Sequence, residues 1–525
     1  MLESKTAPTS LPAESDSKPE NSEKLTQRAY LNAIAAMLGF AVTGVTSLFL
    51  NPFMVRALGS TYYGILQIIQ QMTTFMTAAD GRPTQALKWF IANQQGTTDY
   101  VAKKQAIGGA MFIWLIFSPV VLTVGGILVW LSPAITKVSL DLHLMVRLTT
   151  VFYAIDILVT GIAILPAAVL QGMNLGYKRM MLAPFFVVLS AMLTVGAILL
   201  GLSVPGIAAA ALVADLITGV VWWGIIRSLL PWFGVARPSP AGLRRFIAVS
   251  GWFFCWTLIN KVMLNGDVVV LGMVAGPEAV TTFALTGYVA RMVVDLLALA
   301  LGSVMPGLGM YIGRERYAAA RAIRHEMLSM NWLLCVSIGV SILLWNQSFL
   351  GLWVGTEYYA GTLANLMIVW TVLQLTLIRN DAFIIDLTLN LRRKVLLGGL
   401  SVLLSLALAA ILIPPLGIVG LCLGLLVGRS ILSIGYPVLV DSALKLSSQR
   451  KLKQLARPAV ATAVLFAAST YLGQYLLVKG WFQFLVYGCL SFACAFGVAI
   501  MAGLTMSERK GIVARVGKIH LFGRG

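Results

Sequence analysis

LINKVMLNGDVVVLGMVAGPEAVTTFALTGYVARMVVDLL, Leu258 to Leu297, decides how the chain folds. Two apolar runs meet at an Ala-Gly-Pro turn, Ala275 to Pro277. Each run carries charge inside hydrophobic sequence, with Lys261 and Asp267 before the turn and Arg291 and Asp295 after it. A charge at the centre of a bilayer helix costs about 2.5–3.5 kcal/mol on insertion scales, so it seldom faces lipid. The stretch therefore predicts two membrane-spanning helices whose charged faces point into protein or a watery cavity.

The composition agrees. The chain is 58% hydrophobic and 11% charged, where a soluble domain carries about 25% charged residues. A span needs about 20 apolar residues, and fourteen such runs can be drawn between residues 30 and 505. Two pairs of runs are separated only by GLSVPG (Gly201 to Gly206) and PPLG (Pro414 to Gly417). Each combined run is too long for one helix, so a tight reversal is expected at Pro205 and at Pro414–Pro415. The expected fold is an all-α polytopic membrane protein of about 14 transmembrane helices. The five cysteines (Cys255, Cys335, Cys422, Cys489, Cys494) lie in apolar runs and read as small core residues.

Charge fixes the expected sidedness. With the N-terminus in the cytoplasm, 31 of the 39 Lys and Arg residues fall in tails and inner loops. Arg56, Lys137, Arg147 and Lys479 fall at outer loops or span ends, and Lys261, Arg291, Arg379 and Arg429 lie within spans. The positive-inside rule then places both termini in the cytoplasm of a multi-pass inner-membrane protein. The net charge of +19 is accounted for by that topology and by anionic inner-leaflet lipid, so no nucleic-acid partner is expected.

The chain also repeats. VRALGSTYYGILQ (Val55 to Gln67) matches GMVAGPEAVTTFA (Gly272 to Ala284). Gly176 to Ala210 matches Asn390 to Leu421 in its basic loop, apolar span, proline turn and Gly-Ile start. An even number of spans per repeat makes the two repeats parallel, related by an axis along the membrane normal. The expected organisation is a disordered cytoplasmic tail (1–28), an N-lobe of helices 1–6 (29–227) and a cytoplasmic linker (228–246). A C-lobe of helices 7–12 (247–440) follows, then a basic cytoplasmic loop (441–457), two extra C-terminal helices (458–505) and a basic tail (506–525). The linker has three prolines among basic residues, and LKWFI, within residues 79–104, reads either as an interfacial amphipathic segment or as a solvated loop.

Ten charged residues fall within spans: the four cations and Asp156, Asp215, Asp267, Asp295, Asp381 and Asp386. Facing lipid together they would cost on the order of 25–35 kcal/mol, more than a fold tolerates. Arg291 and Asp295, four apart, share a helical face and are expected to pair. Arg379, Asp386 and Asn390 share another face. Arg429 is expected to meet Asp215 across the repeat axis. Arg291, Arg379, Lys261 and Arg429 are the candidate ligands of a phosphate group, since guanidinium keeps its charge when buried and binds phosphate oxygens bidentately. Asp156, Asp215, Asp295 and Asp386 are candidates for proton or cation coupling, because a carboxylate near the midplane can titrate in the working range. Structural pairing between helices is the alternative for each.

Nothing points to catalysis. His143, His325 and His520 show no metal-ligand spacing, and no phosphate-binding glycine loop is present. No cofactor is expected. A membrane glycosyltransferase would carry sizeable outer loops, and the longest expected here is roughly residues 132–146.

VRALGSTYYGILQIIQQMTTFMTAADGRP, with Leu58-Gly59, Tyr63-Gly64 and Asp80-Gly81, resembles the polysaccharide transporter (oligosaccharide flippase) family of the multidrug/oligosaccharidyl-lipid/polysaccharide exporter superfamily. LNGDVVVLGMVAGPEAVTTFAL resembles its span 7 region and VLQGMNLGYKR (Val169 to Arg179) the loop after its span 4; the likeness covers about residues 28–440. The resemblance implies two six-helix lobes around a central cavity and alternating access driven by an ion gradient. It implies a polyprenyl-diphosphate-linked oligosaccharide moved from the inner to the outer leaflet for cell-surface or exported polysaccharide. Membrane lipids and polysaccharide polymerase and export proteins are the implied partners. The chain departs from related drug exporters in having no acidic pair in span 1. A cation-coupled drug or metabolite exporter, a lipid-linked peptidoglycan precursor as cargo, and a non-transporting scaffold of a glycan-assembly complex are the alternatives.

Overall fold

The computed structural model describes residues 20–78, 83–95, 97–238, 240–388, 391–445, 452–506 and 509. Asp80-Gly81, Asn390 and His520 lie outside the described residues, as do residues 1–19 and 510–525 of the tails and 446–451 of the basic loop. Among the described residues all regular structure is helical. The first seven helices are α1 (Glu20–Thr73), α2 (Pro83–Asn93), α3 (Tyr100–Thr136), α4 (His143–Ala163), α5 (Leu165–Gly172), α6 (Gly176–Leu199) and α7 (Ser203–Leu229). After the linker come α8 (Pro240–Ala275), α9 (Pro277–Thr286), α10 (Tyr288–Gly313), α11 (Tyr317–Trp353), α12 (Thr362–Thr388) and α13 (Leu391–Ala443). Helices α14 (Leu452–Gly473) and α15 (Trp481–Gly503) close the order. Among the described residues ten helical segments are long and apolar enough to cross a membrane, and eleven if α9 and α10, bent 58° at Gly287, are counted as one span.

Glycine divides the longest helices. Gly59 inside α1 has φ 81° and ψ 171°, and Gly276 between α8 and α9 has φ 87° and ψ 175°. These two residues occupy matching positions in the sequence repeat and adopt one conformation, which a Cβ would strain. Gly417 (φ 57°) likewise divides α13 into two arms. The arms pack so closely that a Cβ on Gly424 would lie 2.4 Å from the Ala409 nitrogen. The reversals expected at the prolines fall at glycine instead. One is at Gly201 to Ser203, with Pro205 in the first turn of α7; the other is at Gly417, with Pro414 and Pro415 ending the first arm.

Packing gathers α1 to α7 into one group and α8 to α13 into another. Ile107, Leu165, Val169 and Ile226 are fully buried in the first group, and Leu333, Val336, Ile384 and Leu432 in the second. Helices α14 and α15 lean on α11. Helix α2 carries LKWFI and lays Leu87 and Ile91 against α5, leaving Trp89 exposed. Cys335 and Cys422 are buried, as expected, but Cys489 and Cys494 are exposed on α15. A lipid-facing surface is as apolar as a core, so apolar sequence alone does not separate them. The Cys255 side chain lies outside the described ones.

The two groups meet at the end of the bundle that carries the Gly59 and Gly276 turns. Thr281 Oγ1 donates to the Ser60 carbonyl at 2.6 Å, and Thr61 Oγ1 donates to Glu278 Oε1 at 3.0 Å. A Cβ on Gly64 would lie 1.9 Å from the Pro277 oxygen. Lys137 Nζ donates to the Val274 carbonyl at 2.8 Å. In the repeat alignment, Ser60 corresponds to Pro277 and Gly64 to Thr281, so the first and third contacts are mates of each other. Thr61 and Glu278, 217 residues apart, occupy equivalent positions in that alignment and touch each other.

Candidate functional site

The charged stretch of α8 sits at the centre of a cluster built from four helices. Asn265 turns back to donate to the Lys261 carbonyl at 3.0 Å, and Lys261 is itself engaged by a neighbour. Two residues further on, Asp267 is buried, and one of its oxygens accepts from the Val268 amide at 2.8 Å. Arg291, one turn past the bend at Gly287, brings Nη2 to 3.6 Å from the other Asp267 oxygen. Its guanidinium lies 4.8 Å above the Phe283 ring. Arg429 enters from the second arm of α13, 3% exposed, and donates to the Met263 carbonyl at 2.9 Å. Asp267 is the acidic group acting on it. On the next turn of α10, Asp295 faces Arg379 of α12 and, more weakly, Arg291. Three arginines and two aspartates thus share one region.

Asp386 pairs with Lys394 (2.6 Å). Two expected pairings differ. Arg291 reaches Asp267 across helices instead of Asp295 along its own. Arg429 lies with Asp267, while Asp215 lies with Asp156. Spacing along one helix gives a face, but a long arginine is placed by what the facing helix presents.

Sequence position hid two further cations. Lys394 and Arg324 read as inner-loop charges, yet both are buried. Lys394 donates to Asp386 and to the Ala382 carbonyl (3.0 Å), and its ammonium lies 3.8 Å from the Trp256 ring centre. Arg324 of α11 holds Asp381 of α12 through two bonds of 2.8 Å and Asp441 of α13 through one of 2.6 Å. The signal was available: Ala320, Arg324, Met327 and Asn331 recur at helical spacing, and all are buried. Asp386 is thereby part of an ion pair, and its two partners are unequal. The Lys394 side chain is 0% exposed and that of Asp386 40%. Asp386→Ala is expected to cost about 3 kcal/mol by stranding a buried ammonium, and Lys394→Met about 1 kcal/mol or less, since the carboxylate keeps water. Thermal midpoints in detergent check this. Equal losses would contradict the asymmetry.

In the first helical group Gln70 donates to the Tyr153 hydroxyl at 2.9 Å. One turn along α4, Asp156 faces Asp215 of α7 closely enough for the two carboxyls to share a hydrogen bond. Asp156 Oδ1 is buried without a hydrogen-bond partner among the described residues. Two carboxyls so placed can hold one proton between them. Among the described residues no group of three or more His, Cys, Asp or Glu side chains is arranged to hold a metal ion.

The family described as "Polysaccharide biosynthesis protein" matches residues 30–312. No curated protein matches the chain in sequence. Among solved structures, the lipid II flippase MurJ in an inward closed conformation is similar at TM-score 0.65 and 12% identity, over 90% of this chain and 99% of that one. An outward-facing multidrug resistance MATE family transporter of the MOP superfamily is similar at TM-score 0.60 and 13% identity, over 80% and 97%. The Vibrio cholerae MATE transporter VcmN in its bent form gives 0.55 and 13%, over 81% and 98%. At these identities the likeness is one of fold.

Proposed function

Because the chain belongs to the polysaccharide biosynthesis protein family and has the fold of membrane flippases and transporters, we propose that it flips a polyprenyl-diphosphate-linked oligosaccharide. The cargo moves from the inner to the outer leaflet by ion-coupled alternating access. We place both termini in the cytoplasm, so that the Gly59–Gly276 end faces outward, and read residues 29–227 and 247–440 as the two lobes, within fourteen spans. The observation that carries this reading is the arginine cluster. Arg291 and Arg379 lie in helices apolar enough to cross a membrane and, among the described residues, neither is locked into a hydrogen-bonded ion pair; a diphosphate offers the bidentate oxygens that guanidinium binds best. We assign Lys261 and Arg429 to the same ligand as supporting cations.

Ion coupling draws on Asp156 with Asp215, where one shared proton suits a site that loads and unloads, and on Asp295 beside Arg379. Asp386 is set aside for this role because Lys394 neutralises it. A cation-coupled drug or metabolite exporter would use the same carboxyls but has no need of the arginines, and that separates the two readings.

The test is transbilayer movement of a fluorescent polyprenyl-diphosphate oligosaccharide in liposomes holding the full chain. Movement is expected with wild type and is expected to fall at least about tenfold with Arg291→Ala or Arg379→Ala, one lost charge-assisted contact being worth about 1.5–3 kcal/mol. Unchanged movement in both folded variants would reduce the arginines to structural roles. No movement by wild type across several glycans and gradients would favour drug export or a scaffold.

A further inference from the structure

We propose that Asp267 is a resident counter-ion that holds Arg291 in reserve for an anionic ligand, and that a bound phosphate displaces it while Asp267 stays with Arg429. The proposal rests on reading Arg291 as a phosphate ligand. Its geometric basis is the contrast between two arginines in one chain. Arg324 is the fully committed kind: its side chain is 8% exposed and makes three charge-assisted hydrogen bonds to two carboxylates. Arg291 has the same chemistry but a different placement. Its side chain is 35% exposed, and its nearest carboxylate oxygen is 3.6 Å away, beyond hydrogen-bond range. Its Nη2, though buried, has no hydrogen-bond partner among the described residues. A guanidinium held by charge, with a donor unused, is poised to exchange partners at little loss.

Asp267 is suited to the holding role because it does not depend on Arg291. One oxygen is fixed by the Val268 amide, and the buried Arg429 guanidinium acts on the same carboxylate. Arg429 is in turn fixed by the Met263 carbonyl, at the same level of α8. When Arg291 turns to a phosphate, Asp267 therefore keeps a cation. Before binding, two guanidinium groups face one carboxylate, so the site has positive charge to offer. Arg291 lies on α10 and Asp267 on α8, so the exchange also loosens one helix from the other as the ligand arrives. Asp267 is a positioning residue in this scheme.

Two measurements on the detergent-solubilised full chain test it. Without ligand, Arg291→Ala is expected to melt close to wild type. Asp267→Ala, which strands Arg429, is expected to melt several degrees lower, and Asp267→Ala with Arg429→Met to recover part of that shift. Arg291→Ala melting as low as Asp267→Ala would show a committed pair and overturn the proposal. With farnesyl diphosphate as the probe, Asp267→Asn is expected to bind several-fold more tightly than wild type, and Arg291→Ala to lose binding. Asp267→Asn binding as weakly as Arg291→Ala would also overturn it. If farnesyl diphosphate binds neither wild type nor Asp267→Asn, the phosphate reading of Arg291 fails. The melting order still decides whether Arg291 is held in reserve.

Discussion

Arg324→Ala is expected to lower the stability of the chain by about 3–5 kcal/mol, the usual consequence of breaking a buried ion pair from one side. Asp381 is 3% exposed and Asp441 8%, and both accept from the one guanidinium. Removing it leaves two carboxylates where water is scarce, at a point where α11, α12 and the second arm of α13 converge. The same argument predicts a partial rescue. Arg324→Met combined with Asp381→Leu and Asp441→Leu removes the charges together and should recover most of the loss, because a buried ion network is often replaceable by apolar side chains of similar size. Melting of the solubilised protein on a size-exclusion column reads both results. A single variant that melts like wild type, or a triple variant no better than the single, would show that the triad does not hold these helices.

Gly64→Leu is the second large expected effect, and it acts on conformation. With the two helical groups in contact, a Cβ at position 64 would fall 1.9 Å from the Pro277 carbonyl oxygen. Backbone cannot yield to that, so the side chain is compatible only with the turns apart. Thr281, fully buried against Ser60, reports the change. In a cysteine-free background, Thr281→Cys should react slowly with a membrane-impermeant maleimide and at least about tenfold faster once Gly64→Leu is added, the separation of states by about 1.4 kcal/mol or more. Transport should fall, since a carrier that cannot close one end cannot complete its cycle. Equal labelling in the two backgrounds would show that this contact does not set which end is open.

Much of the fold was legible in the sequence because the bilayer limits the choices. Apolar runs gave helices, and Gly59 and Gly276 marked equivalent turns because each must take a positive φ. The α9–α10 bend was not legible: Thr-Gly-Tyr at 286–288 reads as an ordinary stretch of span. The bend is fixed by tertiary bonds, from Asn346 Nδ2 to the Thr286 carbonyl and from Thr286 Oγ1 to the Tyr358 carbonyl. The candidate site was legible as a set of residues and illegible as a set of partners. Arg291, Asp267, Arg379, Asp295 and Arg429 were all marked by the cost of charge in lipid, yet their pairings come from neighbouring helices that no spacing rule reaches. Arg324 and Lys394 are illegible as buried groups for a related reason. Proximity to a loop placed them in water, while their own helical registers, with Ala320 and Met327 for one and Val395 and Gly398 for the other, turned them inward.

The meeting of Thr61 and Glu278 bears on how such a chain could arise by duplication. Where equivalent positions touch, a dimer of identical halves would set threonine against threonine or glutamate against glutamate. The second would place two like charges in contact and push the halves apart; the first would leave only a weak pair of hydroxyls. Joining the halves in one polypeptide removes that constraint, because each side can then mutate alone. The observed donor and acceptor at 3.0 Å are a solution open to a fused chain and closed to a symmetric ancestor. Divergence at this one position could therefore have changed the closing strength of the whole molecule without altering either half's own packing.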